Sequence, residues 1–549
     1  MRKKNVWVAA LAACMILSAC GNEDNGSESA AGSGAVTNEA TDQSDAGQTT
    51  AVISFANDDV RAEGAGVRTR NSDGICQAII EKPGTYEVKG TCTEGQIVVN
   101  CPDEKKVVLL LNGLDLSCSK GAPVLVEETG KKMVLSTAAE SANYIRDNRT
   151  AKAEDENEEV SAPDAAVFSR DDLDLTGEGT LYVTSLANKG IVSKDKLKIK
   201  SGTFYVDSAD DGIKGKDLLQ MEGGTVQILS GDDGVKSEEE IIVSEGNLTV
   251  LESYEGLEAK KITIQGGTIH VTASDDGLNA SSGTGQEEFG PGGNRETGEF
   301  GPNGNQKPGE NREPGEFGPN GNQKPGGNQE PGEFGPNGNQ KPGGNQEPGD
   351  FGPNGNRGQE NGAPMNMPGV ESDCEILIDG GYLAVDSGGD GIDSNGTVVM
   401  NGGTVIVYGP VSDGDTALDY GTAFTVNGGW LLAVGSSGMM EEITAGEDVG
   451  LIMVDAGRRT GKTPFAICDE NGEELCVFCS EKDFSGVIFS AENLPAGIEW
   501  KDLTFYSGGT DAKEEKDGIF EKGGYTPGEE IEVSEVKAGG FDMPFGRKR

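Results

Sequence analysis

Histidine is nearly missing from this chain. His270 is the only one in 549 residues, and it sits on the outward side of a strand-like run. An outward-facing lone imidazole argues against catalytic triads and against histidine zinc centres. Positive charge is also scarce: 45 lysines and arginines face 93 aspartates and glutamates, a formal charge of −48. Nucleic acid and anionic membrane surfaces are therefore poor partners. Aromatic residues are only 5% of the chain, too few for one large compact core. The repeated part shows no helical periodicity. Of ten cysteines, Cys476 and Cys479 have a CxxC spacing but lie in a β-like run with no second pair nearby. Packing accounts for them better than zinc or redox chemistry.

What is abundant is glycine, 85 residues of it, and much of it is periodic. Before the repeats comes a basic start (Arg2, Lys3, Lys4) and an apolar run, Val6 to Leu17, too short to span a bilayer as a permanent helix. Residues 1–19 read as an export signal. The phrase Leu17-Ser18-Ala19-Cys20-Gly21 resembles the bacterial lipoprotein signal, which implies that Cys20 carries lipid and anchors the chain outside the cytoplasm. Residues 20–50 are Ser, Gly, Asn, Asp and Ala with little to bury, a solvated tether.

Two repeat systems follow. One has a period of 17: Gly-Glu-Phe-Gly-Pro-Asn-Gly-Asn-Gln-Lys-Pro-Gly starts at Gly298, Gly315 and Gly332, with a worn copy at Gly349. Thirteen of the 22 prolines fall between Ser281 and Pro368, so residues 281–370 cannot sustain a hydrogen-bonded ladder and read as an irregular insertion. The other system aligns on Gly190, Gly212, Gly234, Gly256 and Gly277, at steps of 22, 22, 22 and 21. It resumes at Gly391, 114 residues on, and continues to Gly414 at a step of 23. Removing one 22-residue step from 114 leaves about 92 residues, close to the insertion's length.

Column by column the repeat gains physical meaning. An aliphatic residue follows each key glycine: Ile191, Ile213, Val235, Leu257, Leu278, Ile392. A small residue lies two further on. Short alternating runs come next (Leu197/Ile199, Leu219/Met221), then a glycine turn, then a second alternating run (Phe204/Val206, Val226/Ile228). Period-2 apolar residues between turns mean short strands, and several per 22-residue unit mean one coil of a solenoid. The expected fold is all-β: a right-handed parallel β-helix with N-terminal coils over 51–280 and C-terminal coils over 371–435. A polar loop is expected between Ser141 and Asp164, a β-rich cap over 436–510, and a loose tail over 511–549.

"AAVFSRDDLDLTGEGTLYVTS", "KGIVSKDKLKIKSGTFYV", "ADDGIKGKDLL" and "GGTIHVTASDDGLNA" carry a family likeness, joined by the C-terminal "NGGWLLAVGSSGM" and "FAICDENGEELCVF". Over Ile75 to Gly509, the insertion apart, the chain resembles the carbohydrate-binding β-helix domain of clostridial-type bacterial proteins, many of them lipoproteins. The resemblance implies a pectate-lyase-like β-helix that binds calcium and plant-type polysaccharide, including acidic pectin-like chains, without established catalysis. The 17-residue repeats depart from the family pattern.

The residues point to the same chemistry from another side. Asp211, Asp233, Glu255, Asp276 and Asp390 precede the key glycines, and Asp210, Asp232 and Asp275 stand one place earlier, where Tyr254 and Gly389 break the series. Coils stack at about 4.8 Å, so these carboxylates face one another. At about 5 Å and an effective dielectric near 20, each pair costs up to roughly 3 kcal/mol. Asn or Ser would serve the turn without that charge. Oxygen-rich columns suit Ca²⁺, which takes 6–8 oxygens, better than octahedral Mg²⁺. These eight acids are the candidate metal ligands. Tyr382 and Trp430, two coils and about 9.6 Å apart on the outer face, are candidate sugar-stacking rings, and Lys214 and Lys236 candidate partners for uronate carboxylates. No catalytic pair stands out among so many acids. The reading is a monomeric, non-catalytic polysaccharide binder of the cell surface; the alternatives are a calcium-dependent polysaccharide lyase and a purely structural stalk.

Overall fold

A computed structural model describes residues 49–153, 162–282 and 373–536. They form an all-β protein in which parallel strands build large sheets, one of 26 strands and one of 11, beside a six-stranded sheet near the C-terminus. Among the described residues the only helix is a 3-10 turn, Trp500–Asp502. The assigned signal, Cys20, nearly all of the tether and all but the edges of the insertion lie outside the described residues.

In the regular part each repeat supplies three strands, and each strand pairs in parallel with its counterpart one repeat on. The first ladder runs through Lys189–Ser193, Ile213–Gly215, Val235–Lys236, Leu257–Ala259, Leu278–Ala280 and Ile392–Ser394. The second includes Lys196–Ile199, Leu218–Met221, Glu240–Val243, Lys261–Ile264, Glu375–Ile378 and Thr397–Met400. The third includes Thr180–Ser185, Thr203–Ser208, Thr225–Ser230, Asn247–Glu252, Thr268–Ala273, Tyr382–Ser387, Thr404–Tyr408 and Trp430–Gly435. The second and third ladders belong to one sheet because the twelve-residue strand Val107–Cys118 pairs with Met133–Thr137 and with Ala142–Asp147.

Alternation explains the core. Ile213, Ile241, Val226 and Ile228 are fully inaccessible, and Leu219 is nearly so, while the residues between them face out. Burying such a side chain is worth about 1.5–3 kcal/mol, and a shift by one residue would expose the whole set. The key glycine has its own reason. A Cβ on Gly212 would lie 2.5 Å from the carbonyl oxygen of Gly234, and one on Gly234 2.7 Å from that of Gly256. Successive repeats approach too closely there for any side chain.

All three ladders continue across residues 283–372 in register: Lys261 opposes Glu375, Thr268 opposes Tyr382, and Leu278 opposes Ile392. Elsewhere the structure departs from expectation. Gly414 is not the next key residue. Ile392 bridges Leu418, and Ile392 N–H donates to the Ala417 carbonyl, so the step from Gly391 is to Ala417. The first ladder's strands end at Ile392–Ser394, so the crowding that demands glycine ends with them. The polar stretch after Ser141 is not simply a loop, because Ala142–Asp147 is a strand of the third ladder. The segment from 511 is not loose throughout. Glu514–Lys516 pairs with Ile519–Phe520, and Thr526–Ile531 pairs with Thr504–Thr510, closing the C-terminal sheet. Glu514–Lys516 and Thr526–Ile531 are almost wholly exposed and carry no in–out alternation, so only their backbone pairing reveals them. The third ladder ends where Trp430–Gly435 takes the antiparallel strand Phe484–Ser490, backed by the packed rings of Phe465, Phe478 and Phe484.

Candidate cation and glycan sites

The acid column exists as a backbone stack. Gly190 N–H donates to the Asp211 carbonyl, Gly212 to Asp233, Gly234 to Glu255, Gly256 to Asp276 and Gly277 to Asp390. The stack starts at Lys189, which stands where Asp211 stands one repeat later, and Thr416 follows Asp390. The parallel column runs from Asp232 through Tyr254 and Asp275 to Gly389. A Cβ at 389 would lie 2.5 Å from Asp276 Oδ1 and 2.7 Å from Asp275 Oδ1, so a side chain there would have to displace those carboxylates.

The side chains divide into unequal groups. Asp210, Asp211 and Asp232 bring carboxylate oxygens within 4.8 Å of one another, as do Asp233, Glu255 and Glu258. Asp275, Asp276 and Asp390 join neither group. Glu258 was not expected; it lies opposite Lys236 in the first ladder, in the outward column next to the aliphatic one, and only the register sets it beside Glu255.

Lysines balance part of the charge. Lys189 Nζ lies 2.9 Å from Asp164, 3.5 Å from Asp210 and 3.8 Å from Asp211, and Lys152 bonds Asp210 at 2.5 Å. Burial nonetheless lifts the Asp211 carboxyl to about 6, with the Asp233 charge adding to it and Lys189 opposing. Burial works the same way on Asp210, yet the bonds from Lys152 and from the Asp211 N–H hold that group below its ordinary value. In the second group Lys236 bonds Asp233 at 2.6 Å and also contacts Glu258. Lys236 is thus paired with acids of the column rather than left free for a sugar carboxylate. Lys214 lies 3.6 Å from Glu238 and its side chain is only 15% exposed.

Three carboxylates against Lys236 leave the second group at −2 when all are ionised. Glu255 feels this most: burial first, then Glu258 and Asp233, push its carboxyl up to about 8. Asn279 donates to Glu255 Oε1 at 3.1 Å, while Glu255 Oε2 and Asn279 Oδ1 are buried with no hydrogen-bond partner. Unsatisfied buried acceptors cost about 1–3 kcal/mol each. An all-oxygen set with two orphaned acceptors and spare negative charge fits a hard divalent cation. Asp390 is lifted to about 8 as well, by burial and then Asp276, but its Oδ1 accepts the Thr416 N–H.

The aromatic candidates lie elsewhere. Tyr382, Thr404 and Trp430 succeed one another on the outer face of the third ladder and line a cleft of about 1050 Å³ beneath the C-terminal sheet. Neither ring is bare. Lys516 Nζ lies 3.4 Å from the centre of the Tyr382 ring, the Tyr382 hydroxyl donates to Asp517 at 2.5 Å, and Trp430 meets Phe489 edge-on at 5.6 Å. His270 also lies 3.0 Å from Asp517. Another outward column was missed: Tyr144, Tyr182 and Tyr205 stack at 4.9 Å, and the matching phrases Gly-Thr-Leu-Tyr182-Val and Gly-Thr-Phe-Tyr205-Val were its signal. The place of Tyr144 became readable only once the repeat extended back to Ala142.

A family model described as carbohydrate-binding domain-containing protein matches residues 73–252, which hold the first acid group and Asp233. A protein of that description from Acetivibrio thermocellus is 31% identical over 208 residues, 37% of this chain. The chain spans 65% of that relative's length. A solved structure of a polysaccharide lyase-like protein from C. thermocellum, a gadolinium derivative, shares 30% identity over 42% of this chain and 85% of its own, with a TM-score of 0.34.

Proposed function

We propose that this chain is a non-catalytic polysaccharide-binding protein, held outside the cytoplasm by lipid on Cys20 and built on a right-handed parallel β-helix that residues 283–372 interrupt. The carbohydrate-binding family match over 73–252 supports the class of ligand. The observation that carries the mechanism is the group Asp233, Glu255 and Glu258, with Glu255 Oε2 and Asn279 Oδ1 buried and unpartnered beside it. These residues would hold Ca²⁺, whose bound form supplies a positive charge to which sugar carboxylates can bind. A chain of −48 otherwise repels a pectin-like polyanion. Asp210, Asp211 and Asp232 form the lesser site, because Lys152 and Lys189 already balance much of their charge.

Affinity electrophoresis through polygalacturonate tests this. Retardation is expected with calcium, lost with a chelator and restored on adding calcium back. Equal retention in both conditions would leave the acid column as cement between repeats only. Accumulation of unsaturated product absorbing in the ultraviolet would favour the lyase instead.

A further inference from the structure

The cleft beneath the C-terminal sheet is built unlike the acid column, and it lies outside the residues that the family model matches. Its floor comes from two glycine turns of successive repeats, Gly402-Gly403 and Gly428-Gly429. Gly403 and Gly429 have φ of +84° and +90°, a backbone shape that disfavours side chains. The same turns that let the repeats reverse therefore leave a hollow between Tyr382 and Trp430, with main chain exposed at its base. The roof is the hairpin Glu514–Lys516 and Ile519–Phe520, clamped through Asp517 to Tyr382 and His270, and through its carbonyl to the Tyr408 hydroxyl at 2.8 Å.

Charge distinguishes this cleft from the rest of the chain. Its charged lining is Lys516 and Lys522 against Glu492 and Glu515, two positive and two negative, which sum to zero on a chain of −48. Ligand clefts commonly enclose about 300–1,000 Å³, and 1050 Å³ has room for a few sugar rings. An indole wall, polar Thr404 and Asn493, and a main-chain floor suit a ligand with apolar ring faces and many hydroxyls.

We propose that this cleft is a second carbohydrate site, one that binds a neutral oligosaccharide with Trp430 as the stacking ring. Tyr382 serves as a post for the roof, since Lys516 covers a face of its ring. The site rests on the reading of the chain as a polysaccharide binder, but it needs neither calcium nor the acid column.

The test is calorimetric titration of the full chain with cellohexaose and with hexagalacturonate, each in calcium and in chelator. Cellohexaose should bind equally in both conditions, and its binding should change the indole fluorescence. Trp430→Ala should abolish binding and Trp430→Phe should retain most of it. Because Trp430 also packs against Phe489, melting curves must show both variants folded. Asn493→Ala supplies an independent change at the rim and should weaken binding several-fold. If folded Trp430→Ala binds cellohexaose like the parent, or if neither the parent nor Trp430→Phe binds it, the proposal is overturned. Hexagalacturonate binding that needs calcium and survives Trp430→Ala would uphold the acid-column reading separately.

Discussion

Replacing Glu255 by Gln keeps the side chain's shape and its acceptor toward Asn279 but removes the charge that its surroundings oppose. In the parent, the folded-state carboxyl sits near 8 against an ordinary value of 4.5, chiefly through burial. A raised acid favours the folded state while protonated. Its contribution is therefore complete below pH 4.5 and is lost as pH rises through 8. By linkage the loss is on the order of 4 kcal/mol between those limits. In chelator, Glu255→Gln should melt close to the parent at pH 5 and several degrees above it at pH 8. Added calcium should reverse the order at pH 8, because binding to the folded parent stabilises it by mass action and the variant has lost a ligand. Differential scanning calorimetry at both pH values, with and without calcium, reads all four conditions. If the parent and variant melt alike in chelator at pH 8, Glu255 is not held against its charge. If calcium lifts both equally, the cation does not use Glu255.

Joining Ser282 to Asp373 leaves four linking residues (281, 282, 373 and 374) between Ala280 and Glu375, where the preceding repeat turns with Lys260 alone. This deletion should leave the melting transition within a few degrees of the parent; loss of cooperative unfolding would show that the segment belongs to the core. Gly234→Ala places a Cβ 2.7 Å from the Gly256 carbonyl and should cost about 1–3 kcal/mol as overpacking, read by denaturant melts, whereas the same change at Gly472, which has no atom within 4 Å, should cost only the strain of its positive φ. Ile241→Ala, fully buried in the second ladder, should cost about 2–5 kcal/mol. Asp517→Ala removes the acceptor shared by Tyr382 and His270 and should speed proteolysis or hydrogen exchange within residues 511–522 while sparing the ladders; uniform destabilisation would show that the hairpin is integral to the core.

The sequence alone determined what repeats. Each 22-residue unit meets the same neighbours, so the crowding at Gly212 and Gly234, the inward Ile213 and Val235, and the stacked carboxylates of Asp211 and Asp233 had to recur at a fixed step, where periodicity exposes them. That regularity also carried the alignment across the long Gly/Pro/Asn segment to Gly391. Only the tertiary structure decided which residues of different columns meet. Glu258 joins Asp233 and Glu255 because neighbouring strands align across the ladder, and Lys236 lies between acids for the same reason. Asp517 reaches His270 across 247 positions of chain, a contact with no local trace. The jump from Gly391 to Ala417 was hidden as well: backbone pairing sets the register, and once no further strand crowds the turn, glycine no longer marks the place.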